Sequence, residues 1–120
     1  MAATNPVLPQ DPAQEIVRSR KLAERYFHEF VDLREVRIDH DLFHTVPVDL
    51  MFRYNFVPIQ AFPGTHEDGS GGALEIAMAD PRNLSLIDEL AVLLSRKLRV
   101  KIATLSQISD LLKKTEQSQR

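Results

Sequence analysis

The chain has no cysteine. It therefore forms no disulfide and offers no thiolate to a metal or to covalent chemistry, and a reducing compartment is permitted. No apolar run approaches the ~20 residues that a membrane-spanning helix needs. Met1 to Gln10 lacks the basic and apolar regions of a secretory leader. Neither charge is in surplus: 15 Lys and Arg against 17 Asp and Glu leave a net charge of −2, so no overall field draws the chain to nucleic acid or to an anionic membrane. A cytoplasmic protein is the expectation.

Recognisable catalytic motifs are also missing. No serine stands in a Gly-x-Ser-x-Gly turn. Gly64-Thr65-His66-Glu67-Asp68-Gly69-Ser70 has the glycine spacing of a phosphate loop, but Ser70 stands where the phosphate-binding lysine belongs. The segment also joins two strands, whereas a phosphate loop feeds the N-terminus of a helix. His40 and His44 lie four apart, so on a helix they share a face. Asp41 replaces the glutamate of the zinc-hydrolase motif, and no third ligand is identifiable. A small hydrolase built on these two histidines is the weakest reading. His66-Glu67-Asp68 sits in a loop that does not preorganise ligands. No catalytic residue, metal ligand or cofactor-binding residue is assigned.

What is present suits one ordinary domain. The length of 120 residues allows a single core, with 43% hydrophobic and 27% charged residues. Residues 1–11 read as a flexible tail, 12–115 as one domain and 116–120 as the start of a linker. Asp11-Pro12 signals a helix start. Ile16, Ala23, Phe27 and Phe30 fall near one helical face, with Arg18, Arg20, Lys21 and Arg25 over much of the remainder. Phe30 to Leu33 reads as short and extended. Asp41 to Val46 reads as one helical turn stopped by Pro47, and Val48 to Tyr54 as another short helix.

Asn55 to Phe62 reads as a strand at an edge because of Pro58. Pro63 to Gly71 reads as a loop and Ala73 to Ala79 as an interior strand antiparallel to the first. Asp80-Pro81 makes the turn. Asn83 or Ser85 caps a helix with the stripe Leu84, Ile87, Leu90, Ala91, Leu94 and Leu98, with Asp88 and Glu89 near its start and Arg96 and Lys97 in its last turn. Arg99 to Leu105 is the third strand, parallel to the second. Thr104 or Ser106 caps the last helix, which has its apolar face on Ile108, Leu111 and Leu112 and frays from Lys113. The fold class expected is α/β (α+β): N-terminal helices on a small three-stranded mixed sheet with a C-terminal β-α-β-α unit.

Two stretches carry a family resemblance. One runs from Leu22-Ala23-Glu24-Arg25-Tyr26-Phe27-His28-Glu29-Phe30-Val31-Asp32-Leu33 through Pro47 to Val57-Pro58-Ile59. The other is Ala77-Met78-Ala79-Asp80-Pro81-Arg82-Asn83-Leu84 with Asp88-Glu89-Leu90. In this order they resemble the N-terminal domain of type II secretion and type IV pilus assembly ATPases (GspE/PilB type, MshE N-terminal-like), over about residues 15 to 115.

The resemblance implies a docking module ahead of a hexameric motor. Its partners would be the cytoplasmic domain of an inner-membrane platform protein, its own ATPase domain and hexamer neighbours. ATP and Mg would belong to the motor, whose Walker and tetracysteine motifs are not in this sequence. The expected contacts are Arg18, Arg25 and Arg53, with Asp80 and Pro81 as a structural turn. The location implied is peripheral at the inner membrane through partners. Cyclic di-GMP is the alternative ligand, since some relatives bind it through an Arg-Leu-Gly helix; Arg18-Ser19-Arg20-Lys21-Leu22 does not reproduce that motif.

Overall fold

Pro12 opens the first element of a computed structural model that describes residues 12–37, 39–64 and 72–118. The tail of residues 1–11, the phosphate-loop-like segment beyond Gly64 and the His66-Glu67-Asp68 group fall outside the described residues. Helix α1 (Pro12–Arg25) buries Ser19 and Ala23. Its apolar stripe does not continue through Phe27. The backbone turns left-handed there (φ 62), and the His28 amide donates to the Ala23 carbonyl at 2.8 Å, which closes the helix end. The Phe27 side chain is 96% exposed.

The chain then forms β1 (Glu29–Phe30), a strand with too few residues to show a period. It adds a fourth strand to the expected three, and the sheet order is β1-β4-β3-β2. Helix α2 (His40–Thr45) is capped by the Asp39 carboxylate, which accepts from the Asp41 and Leu42 amides. Helix α3 (Val48–Tyr54) follows Pro47 as expected and ends at Asn55 in the left-handed region. Phe43 and Met51 carry these short helices into the core.

Strand β2 (Phe56–Phe62) lies at the sheet edge and pairs antiparallel with β3 (Ala73–Met78), with a register slip between Pro58 and Gln60. Pro58 is thus confined to the edge that a missing N–H allows. Gly72 stands where a Cβ would lie 2.6 Å from the Phe62 carbonyl oxygen, so only glycine fits that close approach.

Helix α4 (Leu84–Leu94) is capped by Asn83, whose side chain accepts from the Leu86 amide. Ser95 takes a left-handed conformation and ends the helix, which leaves Arg96 outside it and places Lys97 at the start of β4 (Lys97–Ile102). The first turn of α4 carries no acidic residue, since Asp88 and Glu89 lie further along. Its buried stripe runs through Leu86, Ile87, Leu90 and Leu94, while Leu84 is exposed. Strand β4 starts before Arg99, ends at Ile102 and runs parallel to both β3 and β1. Thr104 then caps α5 (Leu105–Ser118), its hydroxyl accepting from the Gln107 amide at 3.1 Å. The helical backbone continues past Lys113 to Ser118, beyond the expected onset of fraying.

Two polar clusters fix this arrangement. Lys101 on β4 reaches Glu75 on β3 at 3.2 Å and Glu29 on β1 at 3.5 Å, so one ammonium spans three strands. Glu75 is buried, and its hydrogen bond is the first cause of the raised Lys101 pKa. In the other cluster Gln107 of α5 accepts from the Leu33 amide and donates to the Asp32 carboxylate, both at 3.0 Å. The Asp32 carboxylate also accepts from the Arg34 amide and guanidinium. Those bonds, the Arg34 side chain first, lower the Asp32 pKa from 3.8 to about 2.

Lys101→Ala leaves the Glu75 carboxylate buried without its cation and is expected to destabilise the fold by about 2 kcal/mol in urea unfolding. Replacing Glu75 by Gln in the same chain should recover part of that loss. The Asp32 shift sets an acid limit. The folded state binds this proton more weakly than the unfolded one, so the contribution is complete above about pH 4 and is lost as pH falls toward 2. Asp32→Asn should flatten stability against pH in that window, measured as urea midpoints.

Candidate functional site

The carboxyl end of β3 is where an α/β unit often places a ligand. Here a cleft of about 340 Å³ opens between Tyr54, Asn55, Met78, Asp80, Asn83 and Leu86. Two of its polar side chains, Asp80 and Asn83, are held by hydrogen bonds within the turn and the cap of α4. The Asp80 carboxylate accepts from the Arg82 amide at 2.9 Å and from its guanidinium at 2.6 to 3.1 Å. That pairing lowers the Asp80 pKa, with the Arg82 side chain as the first cause. Asp80 therefore shapes the turn by binding the residue two ahead, and the cap of α4 is Asn83. Pro81 is buried within the turn.

The second candidate is cationic. Arg18, Lys21 and Arg25 are exposed on α1, and no ion pair is formed by any of them among the described residues. Arg20 differs: its guanidinium lies 4.7 Å from the centre of the Phe30 ring, a cation–π contact that ties α1 to β1. Beside Arg18 a shallow groove of about 430 Å³ runs along Ala13, Gln14 and Val17. Val17 is 49% exposed, so this face mixes charge with apolar surface.

Arg53 is exposed at the end of α3 and does not belong to the same patch. Helix α1 packs on β1 and β4, while α3 packs on β2 and α5. Strands lie about 5 Å apart, so β1 and β2, at opposite ends of the strand order, are separated by roughly 14 Å. The structure brings Arg18 and Arg25 onto one helix and leaves Arg53 on the far side. His44 is exposed in the last turn of α2. Among the described residues no group of three or more His, Asp or Glu side chains stands together as a metal site.

Two features of this surface escape the linear pattern. Phe27 stands at helical spacing from Ala23, and its left-handed backbone turns it off that face. Arg82 carried no signal of its own beyond its place two residues after Asp80.

The MshEN domain family matches residues 26–120. No protein of curated function matches the chain. Among solved structures, the structure of MshE with cdg (cyclic di-GMP) resembles this one with a TM-score of 0.65 at 24% identity, over 82% of this chain and 66% of that one. The N-terminal domain of XpsE, solved in two crystal forms, gives a TM-score of 0.60 at 19% identity, over 82% of this chain and 64% or 65% of the other. The chain thus spans slightly less than two thirds of the length of these relatives, and the likeness to them is one of fold.

The cleft wall gives a stability prediction. Asn83→Ala removes the cap of α4 and should cost about 1 kcal/mol. Asn83→Ser should retain most of the stability, both read from thermal unfolding.

Proposed function

The chain belongs to the MshEN domain family, and on that premise we propose that it is a non-catalytic docking and regulatory module of a secretion or pilus-assembly ATPase. The family match carries the reading. It covers most of the chain and agrees with the resemblance of the stretches around Tyr26 to Leu33 and Ala77 to Leu90. The module would couple the motor to the cytoplasmic part of an inner-membrane platform protein. ATP and Mg would be bound by the motor region of the parent protein. No described helix is long and apolar enough to cross a membrane, so attachment at the inner membrane would run through protein partners.

Docking would use the exposed face of α1 with Arg18 and Arg25. These residues lie before the matched residues, so this contact is a feature of the present chain and is not inherited from the family pattern. Arg53, inside the matched region, would serve a separate contact on the α3 side. Unpaired arginines on an exposed face steer association with an acidic surface and contribute to its specificity.

A specific observation favours a second reading, namely that MshE has been solved with cdg. A cyclic dinucleotide needs cations for its phosphates and flat apolar surface for its bases. Arg18, Arg25 and the exposed Phe27 are residues of those types.

Arg18→Glu with Arg25→Glu should weaken binding to the platform's cytoplasmic domain by about 1 to 2 kcal/mol, with most of the loss in the association rate. An unchanged affinity removes α1 as the docking face. Titration calorimetry with cyclic di-GMP decides the second reading, and the absence of heat at high micromolar ligand rejects it.

A further inference from the structure

Three contacts show which way the backbone of β4 points. The Val31 amide donates to the Ile102 carbonyl at 2.8 Å on the β1 side. His28 Nδ1 lies 3.2 Å from the Val100 carbonyl oxygen on that same side. On the opposite side the Ala103 amide donates to the Met78 carbonyl of β3 at 3.1 Å. In a parallel ladder the polar groups of successive residues turn to alternate neighbours. The amides and carbonyls of Leu98, Val100 and Ile102 therefore face the β1 side, and those of Lys97, Arg99 and Lys101 face β3.

Strand β1 is only Glu29 and Phe30, paired with Lys101 and Ile102. Upstream the chain turns back into α1 at His28. Among the described residues, then, the Val100 amide and both backbone groups of Leu98 have no strand partner. β4 is an interior strand from the Val100 carbonyl to Ile102, where His28, Glu29 and Phe30 lie beside it, and an open edge from Lys97 to the Val100 amide.

Open edges recruit other strands, and the side chains beside them decide which. Lys97 and Arg99 are exposed on one face of β4, and neither pairs with a carboxylate among the described residues. Arg99 lies over the Phe62 ring at 4.2 Å. Leu98 and Val100 are half-buried on the opposite face. In an added strand the residues opposite Lys97 and Arg99 share their face, where acidic groups are favoured and basic ones repelled. This charge pattern works against in-register pairing with a second copy of the same edge. Phe27, exposed and next to His28 in the chain, offers an aromatic contact near the end of the edge.

We propose that β4, from Lys97 to the Val100 amide, receives an extended segment of a partner protein as an added strand, with acidic residues opposite Lys97 and Arg99 and an apolar residue opposite Leu98. The main chain of Leu98 and Val100 supplies the affinity, and the two cations select the sequence. This surface is independent of the docking assigned to α1 and stands if Arg18 and Arg25 prove inert.

The test uses the full chain and two blocked synthetic peptides, Glu-Val-Glu-Val-Glu-Thr and the same peptide with Lys for Glu, with amide hydrogen exchange as the readout. Saturating acidic peptide should slow exchange at Leu98 and Val100 by at least about tenfold, with the Ala77 amide unchanged, and the lysine peptide should not. K97E/R99E should lose the acidic peptide by at least about tenfold and gain the lysine peptide. If that variant does not fold, the two peptides on the natural chain decide alone. The proposal is overturned if millimolar acidic peptide gives no protection at Leu98, or if both peptides bind equally. Protection that appears with protein concentration and no peptide would also overturn it, by assigning the edge to a second copy.

Discussion

One lysine carries much of the sheet's organisation. Lys101 sits on β4 between Glu75 and Glu29, and through it a two-residue strand is held against an otherwise ordinary mixed sheet. The exposed Glu29 contributes little by itself, because solvent screens its charge. Glu75 is different. It is buried in the middle of β3, so its charge needs a partner inside the fold. That requirement fixes Lys101 to one face and, through strand alternation, sends Leu98, Val100 and Ile102 to the other.

The same constraint explains the surface that remains. β1 begins where the α1 turn closes, so it covers only the end of β4 nearest Lys101. The rest of that edge is left with two cations and two half-buried aliphatic residues. Just past β1, Gln107 ties the following segment to the first turn of α5, and Asp32 and Arg34 complete the link. This fold is thus held at both ends of β1 by polar contacts between residues far apart in sequence. A short strand with little apolar area of its own depends on such contacts.

The cleft beside Asp80 and the cationic face of α1 use their charges differently. Asp80 spends its charge on Arg82 and shapes a turn. Arg18 and Arg25 form no ion pair among the described residues and face outward. Charge is thus closed into a turn at Asp80 and left facing solvent on α1.

Several elements were determined by sequence alone. Pro12, Pro47 and Pro58 mark a helix start, the break between two short helices and an edge strand, because a missing N–H and a fixed φ act locally. The apolar run of β3 and the period of α4 are strong enough to place a buried strand and the helix after it. The Ala77 to Leu90 stretch also carried enough pattern to indicate the family.

Other features were settled only by tertiary structure. β1 exists because Lys101 and Ile102 are there to pair with it, and two residues have no period to read. Phe27 faces water because a left-handed backbone ends α1, which side-chain spacing does not reveal. Arg18, Arg25 and Arg53 look alike in the sequence, yet strand order puts Arg53 on the far side of the sheet. The open edge of β4 has no local signature at all, since it is produced by where a different strand stops.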